Sequence, residues 1–350
     1  MPRRTTSALV PLLLLALASS LAGRPAATLP AALTDREFWS LLTQLSEPNG
    51  SFVSRSGSPD NLLSNEMQVS TVAAALAAQV PAGGVYLGVG PEQNFSYIAA
   101  TKPRIAFITD IRRGNLDLHL LYKAIFEMSN TRAEFVARLF GRTLVTTLPR
   151  QANAAQLMAA YANAAPMPEA TFTAHLTQVL DLLATKHGFP LTAEDRASIE
   201  HAYRAYHEFG PAIDYTSTIG RRGRFVTYAD LMTSVDSQSG RERGFLARDE
   251  SFALIKTMES RNLIVPVVGD FAGGKALRSV GTWLSGHGAI VSVFYVSNVE
   301  QYLEQNGVWP AFCANAATLP VDRSSIFIRP GRGGSSFSPI AAETAHCASK

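Results

Sequence analysis

Cysteine is nearly absent. Cys313 and Cys347 are the only two in 350 residues, which excludes a disulfide-framework protein and any CxxC metal site. In an oxidising compartment the two could pair, but spacing in sequence does not show how close they come in space. Charge is also scarce, at 17% of residues with a formal net charge of +3. No dense basic stripe runs along the chain, so nucleic acid is not an expected partner. The densest basic cluster, RRGR at 221–224, reads as a solvated loop. Long apolar runs are missing beyond the N-terminus, so the mature chain has no membrane span. A GxSxG elbow and a complete dinucleotide fingerprint are missing too, which places a hydrolase or dehydrogenase reading last.

Hydrophobic residues, in contrast, make up 47% of the chain, enough at this length for a large core. Residues 1–22 have the layout of an export signal: Arg3 and Arg4, an apolar run from Ala8 to Ala18, then Ser20-Leu21-Ala22 as a small-x-small cleavage site. The expected location is therefore outside the cytoplasm, with an uncleaved N-terminal anchor as the alternative. Within 23–82, Thr34 and Glu37 form a capping box opening a helix whose apolar face is Phe38, Leu41, Leu42 and Leu45. The polar stretch SGSPDNLLSNE, 56–66, reads as a lid or as the turn before a helix over Val69–Gln79.

Residues 83–110, GGVYLGVGPEQNFSYIAATKPRIAFITD, carry the strongest pattern. An apolar strand at Val85–Leu87 runs into Gly88 and Gly90, where the backbone can approach a ligand closely. A helix over Asn94–Ala100 follows, and a second strand, Ile105–Ile108, delivers Asp110 to the same sheet edge, where a carboxylate suits ribose hydroxyls. Glu92 beside the turn disfavours a pyrophosphate and suits an ammonium group.

The next helix carries Leu116, Leu120, Leu121, Ala124, Ile125 and Met128 on one stripe. Residues 131–257 then read as a mainly helical insertion. Within it, Thr192 and Asp195 start a helix, and His201 and His207, six apart, lie on different faces, so no metal pair is expected. The segment RFVTYADLMTS, 224–234, reads as an extended run with Tyr228 and Asp230 at a pocket rim. The core pattern resumes at 258–335 with LIVPVVGD, ending in Asp270 and Phe271; AIVSVFYVSNVEQYL, holding Tyr295, Ser297, Asn298 and Glu300; and the strand SSIFIRPGR. Residues 336–350 read as a tail. The expected fold is α/β, a Rossmann-like doubly wound, mostly parallel sheet with a large helical insertion.

This order of motifs resembles the core of class I S-adenosylmethionine-dependent methyltransferases. More narrowly, DNLLSNE, GVYLGVGPEQNFSYIA, FITDIRR, VPVVGDFAGGKAL and FYVSNVEQYL resemble a family of uncharacterised bacterial proteins, often with export signals. The resemblance covers about 83–125 and 258–332. It implies S-adenosylmethionine as cofactor, with Gly88, Gly90, Asp110, Asp270 and Phe271 around the nucleoside and Asn65, Glu66 or Glu92 at the methionine end. Ser297 would face the cofactor, and Tyr295, Asn298, Glu300 and Asp230 the transfer site, with Glu300 or Asp230 as base. Two features depart from the pattern: Tyr86 stands where the family has an acid, and no pair of final strands is visible after the fifth. These departures favour the alternative, an exported binding protein that keeps the pocket without the chemistry.

Overall fold

A computed structural model describes residues 28–51, 60–220, 225–331 and 334–347. The export signal and the RRGR cluster read from the sequence lie outside these residues, as does most of the stretch before Asp60. The chain forms α1 (Asp35–Leu45), α2 (Val69–Gln79), β1 (Val85–Gly88), α3 (Gln93–Thr101), β2 (Ile105–Asp110) and α4 (Arg113–Met128). Helices α5 (Arg132–Leu139), α6 (Ala154–Ala162), α7 (Glu169–Asp181), α8 (Ala193–Phe209), α9 (Tyr228–Thr233) and α10 (Asp249–Ser260) follow. Then come β3 (Ile264–Val268), α11 (Ala276–Gly286), β4 (Val291–Tyr295), α12 (Val299–Gln305), α13 (Trp309–Ala316), β5 (Ile326–Gly331), β6 (Gly334–Pro339) and α14 (Ile340–Thr344).

The strands make one six-stranded sheet in the order β3-β2-β1-β4-β5-β6. All pairings are parallel except β5 with β6. Every residue of β1, β2 and β3 is buried, as expected of apolar runs covered on both faces by helices. Pro266 sits in β3, an edge position where its missing N–H breaks no interior ladder. Because the strand order reverses between β1 and β4, a crevice opens there at the carboxyl edge. Register sets its depth: Gly88 lies beside Ile108, and Asp110 beside Val268.

Thr34 caps α1 and Thr192 caps α8 through capping boxes, as their sequences require. Three sequence expectations need correction. Tyr228–Thr233, within the run at 224–234, is helical: Thr227 accepts the Asp230 N–H at 3.1 Å, and Asp230 Oδ2 accepts the Thr227 N–H at 3.0 Å, so the pair starts α9. Residues 336–347 are no loose tail. They form β6 and α14, and Cys347 is disulfide-bonded to Cys313 of α13 with Cα atoms 5.5 Å apart. A final strand does exist, since β6 pairs antiparallel with β5; its serine-rich sequence, GSSFSP, lacks the apolar alternation that marks a strand.

Candidate functional site

The turn after β1 is organised from behind by one amide. Asn94 Nδ2 donates to the carbonyls of Val89, Gly90 and Pro91 at 2.9, 3.1 and 2.7 Å. Its Oδ1 accepts the Tyr86 hydroxyl at 2.8 Å. With the Val89 carbonyl turned inward, the Gly90 N–H of the same planar peptide points the opposite way. His119 Nε2 also meets the Gly90 carbonyl, at 3.0 Å. Burial pushes this imidazole down to about 4, so the ring is neutral and can donate from Nε2. Gly90 itself has φ +77°, and an added Cβ would meet only the Gln93 amide nitrogen, at 4.0 Å. That open space is the floor of a cavity.

The cavity has a volume of about 410 Å³ and lies over the carboxyl ends of β1 to β4. It is lined by Gly90, Asp110, Asp270, Phe271, Ser297 and Asn298, together with Asn65, so seven of the residues expected from sequence share one site. Asp110 is 4% exposed, and its Oδ1 accepts both the Arg112 N–H at 3.0 Å and Arg112 Nε at 3.3 Å. Both bonds use the same oxygen. Asp270 Oδ1 accepts the Ala272 N–H at 2.9 Å, which fixes the carboxylate at the β3 exit. Phe271 stacks on Phe312 with ring centroids 5.7 Å apart and meets Phe294 edge-on at 5.1 Å.

Seven expected residues lie outside the cavity lining. At Gly88 a Cβ would fall 2.1 Å from Asn94 Oδ1, so this glycine makes room for the amide that shapes the turn and not for a ligand. Glu92 is wholly buried; both of its carboxyl oxygens accept the Ser64 N–H at 3.3 Å. Burial raises this group to about 8, against the pull of its own N–H and that of Ser64, so it is protonated at neutral pH. Glu66 accepts Ser297 Oγ at 2.5 Å and a further bond from Tyr295, and burial raises its pKa as well. Tyr295 is fully buried behind the wall, where its hydroxyl accepts Gln93 Nε2 at 2.6 Å. Glu300 is tied to Arg329, with Nη2 to Oε1 at 2.9 Å, so it is held as an ion-pair partner instead of a base. Asp230 is exposed and caps α9; Tyr228, also read as a rim residue, is buried in the insertion.

The stretch 60–66 borders the cavity as a strap and contributes Asn61, Ser64 and Asn65 to its lining. Tyr206 donates to the Leu62 carbonyl at 2.6 Å, Arg112 Nη1 to the Asp60 carbonyl at 2.6 Å, and Leu63 is fully buried. Asn61 and Ser297 are two cavity residues with left-handed φ, +55° and +49°. For serine that conformation costs about 1–2 kcal/mol, and the Ser297–Glu66 bond helps to hold it. Sequence reading missed Gln93, Tyr215, Tyr302, Leu303 and Val308, which also line the cavity. Gln93 stands next to the noted Glu92, but nothing in an isolated glutamine marks it; Tyr215 comes from the insertion, whose placement depends on tertiary packing.

A family model described as a domain of unknown function, DUF7790, matches residues 62–347. The chain belongs to the DUF7790 family. The DUF7790 match begins inside the strap and ends at Cys347, so it takes in the whole sheet, the insertion and the disulfide. No curated protein matches the chain. Among the described residues no cluster of His, Cys, Asp and Glu could hold a metal ion, and no helix is long and apolar enough to cross a membrane.

Proposed function

We propose that the cavity binds S-adenosylmethionine and that the protein is a methyltransferase-like enzyme with an exported location. One observation carries this reading: Gly90, Asp110, Asp270 and Phe271, from the ends of three adjacent parallel strands, line a single cavity at the switch point of the sheet. The residues present fit the nucleoside. Asp110 keeps Oδ2 clear of Arg112 for a ribose diol, Gly90 allows close approach, and Phe271 offers apolar surface for a base. A volume of about 410 Å³ is within the usual range for small-molecule sites.

S-adenosylmethionine supplies a methyl group already activated on a sulfonium. What remains for this chain is alignment and exclusion of water. Ser297 and Asn298 border the side of the cavity formed by the β4 turn, and the strap adds Asn61, Ser64 and Asn65 to the lining. With Glu300 and Asp230 engaged elsewhere, the carboxylates lining the cavity are Asp110 and Asp270 among the described residues. This favours an acceptor that needs no strong base. The same displacement of Glu300, Asp230 and Tyr295 supports the second reading, a binding protein without transfer. The Cys313–Cys347 disulfide supports an oxidising compartment, hence export.

Calorimetric titration of the protein with S-adenosylmethionine and S-adenosylhomocysteine tests the site. Micromolar binding is expected, weakened about tenfold or more in Asp110→Asn. Asparagine still offers an oxygen to Arg112, so the melting temperature should hold. Retained affinity in the folded variant would sink the assignment. Binding without methyl transfer to any of a panel of small-molecule acceptors would favour the second reading.

A further inference from the structure

Ser297 is held in a conformation that serine rarely adopts. It stands between β4 and α12 with φ +49°, and Asn298 after it has φ −91° and ψ 15°. The Val299 N–H donates to the Val296 carbonyl at 3.2 Å, closing a four-residue turn over 296–299. A positive φ at the second position followed by these angles at the third fits a type II′ turn, whose second position is usually glycine. Backbone strain of this kind collects at functional sites. Ser297 lines the cavity, and its Oγ donates to Glu66 Oε1 at 2.5 Å, whereas Glu66 is not part of the lining. A hydroxyl bordering a cavity is thus paired with a carboxyl group set into the wall.

We propose that Ser297 is a nucleophile with Glu66 as its general base, and that the protein cleaves small uncharged or cationic esters in this cavity. A strand, a sharp turn bearing a strained serine, and a helix form the arrangement that exposes a nucleophile at the carboxyl edge of an α/β sheet. The GxSxG motif that marks such a turn is absent, since Tyr295 and Val299 stand at its glycine positions. As Oγ attacks the ester carbonyl carbon, its proton passes to Glu66 Oε1; the bond to the alcohol oxygen breaks, and the alcohol leaves with that proton. Water then attacks the acyl-serine and gives a proton to Glu66, and the acid leaves as Ser297 regains its proton. Ester and water are the only reactants. The oxyanion falls to two backbone N–H groups. Asn298 follows the nucleophile, and Gly90, a lining residue without a side chain, turns its N–H away from the inward Val89 carbonyl. Neither N–H donates to a protein acceptor among the described residues. Burial raises the Glu66 pKa, which strengthens it as a base once ionised. Asp110 and Asp270 carry the lining's only formal charges among the described residues, so phosphate and carboxylate substrates are repelled. This activity goes beyond the nucleoside reading and does not rest on it.

The test treats the folded protein with a fluorophosphonate, an uncharged probe that bonds covalently to activated serines, and maps the adduct by peptide mass. One label is expected, on Ser297. It should be lost in Ser297→Ala, and its rate should fall about 100-fold or more in Glu66→Gln, which keeps an oxygen for Ser297 Oγ and cannot take the proton. Release of p-nitrophenol from p-nitrophenyl acetate should follow the same order. If the Ser297–Glu66 bond only fastens the strap to the β4 turn, neither probe reacts, and that result overturns the proposal. A label on another residue, or an unchanged rate in Glu66→Gln, overturns it too. Should the variants melt early, the wild type decides alone: a label on Ser297 that disappears in urea upholds the nucleophile, and its absence from the folded protein refutes it. Calorimetry with S-adenosylmethionine reads the nucleoside site separately, so failure of either reading leaves the other standing.

Discussion

Burying a carboxyl group raises its proton affinity, because the low-dielectric interior penalises the charged form. Glu92 holds its proton to about 8 in the folded protein, against 4.5 for an unperturbed glutamate. Glu259, buried at the end of α10, is likewise raised to about 8, and Asp117 to about 7, burial being the leading cause in each. Between the unfolded and folded values the native state binds the extra proton, so stability falls as pH rises through that window. His119 acts in the opposite sense: its neutral ring makes stability rise with pH from about 4 to 6.5. The two trends oppose each other below 6.5, and the fall should be clear from pH 7 to 8. Glu92→Gln keeps an acceptor for the Ser64 N–H and removes the titration. It should reduce the loss of stability between pH 7 and 8 by roughly 1 kcal/mol, read from urea midpoints at the two pH values. An unchanged slope in the variant would mean that Glu92 is not the group carrying that proton.

At the scale of elements, α9 shows how local chemistry and tertiary placement divide the work. Thr227 and Asp230 form a capping box, a signal as clear in the sequence as those of Thr34 with Glu37 and Thr192 with Asp195. From sequence 224–234 reads as an extended run, whereas in the folded chain the Thr227–Asp230 capping pair starts a helix there. Asp230→Ala should therefore lower stability by about 0.5–1 kcal/mol in denaturant unfolding and leave S-adenosylmethionine affinity untouched. A drop in affinity at unchanged stability would return Asp230 to the site. Helix α12 makes the parallel point with Glu300. The residue lies just past the β4 turn, as expected, but the Arg329 side chain from β5 captures it. Neighbouring strands in a parallel sheet are far apart in sequence, so such a partner cannot be found by spacing.

Across the whole molecule, the disulfide joins α13 to the segment after α14 and so secures the antiparallel end of the sheet. It closes a span of 34 residues, which in the chain-entropy account stabilises the fold by about 3–4 kcal/mol. Cys347→Ser should lower the unfolding free energy by that amount. Dithiothreitol should lower the wild type equally and leave the variant unaffected. A variant as stable as the oxidised wild type would show that the cross-link does not constrain the unfolded chain.

The sequence by itself determined the α/β class, the positions of β1 to β5 along the chain, and the strand-end residues Gly90, Asp110, Asp270, Phe271, Ser297 and Asn298 that line one cavity. It could do so because apolar runs bounded by turn residues are local signals, and a parallel sheet brings its carboxyl ends together whatever the helices between them do. Tertiary structure decided the rest. Whether Glu92 faces a ligand or the Ser64 backbone, whether Gly88 serves a cofactor or Asn94, and which atom of the Gln93 amide meets Tyr295 depend on groups brought from distant positions. Burial and hydrogen-bond partners are properties of the packed molecule, and these set both the protonation of a carboxyl and the direction of an amide.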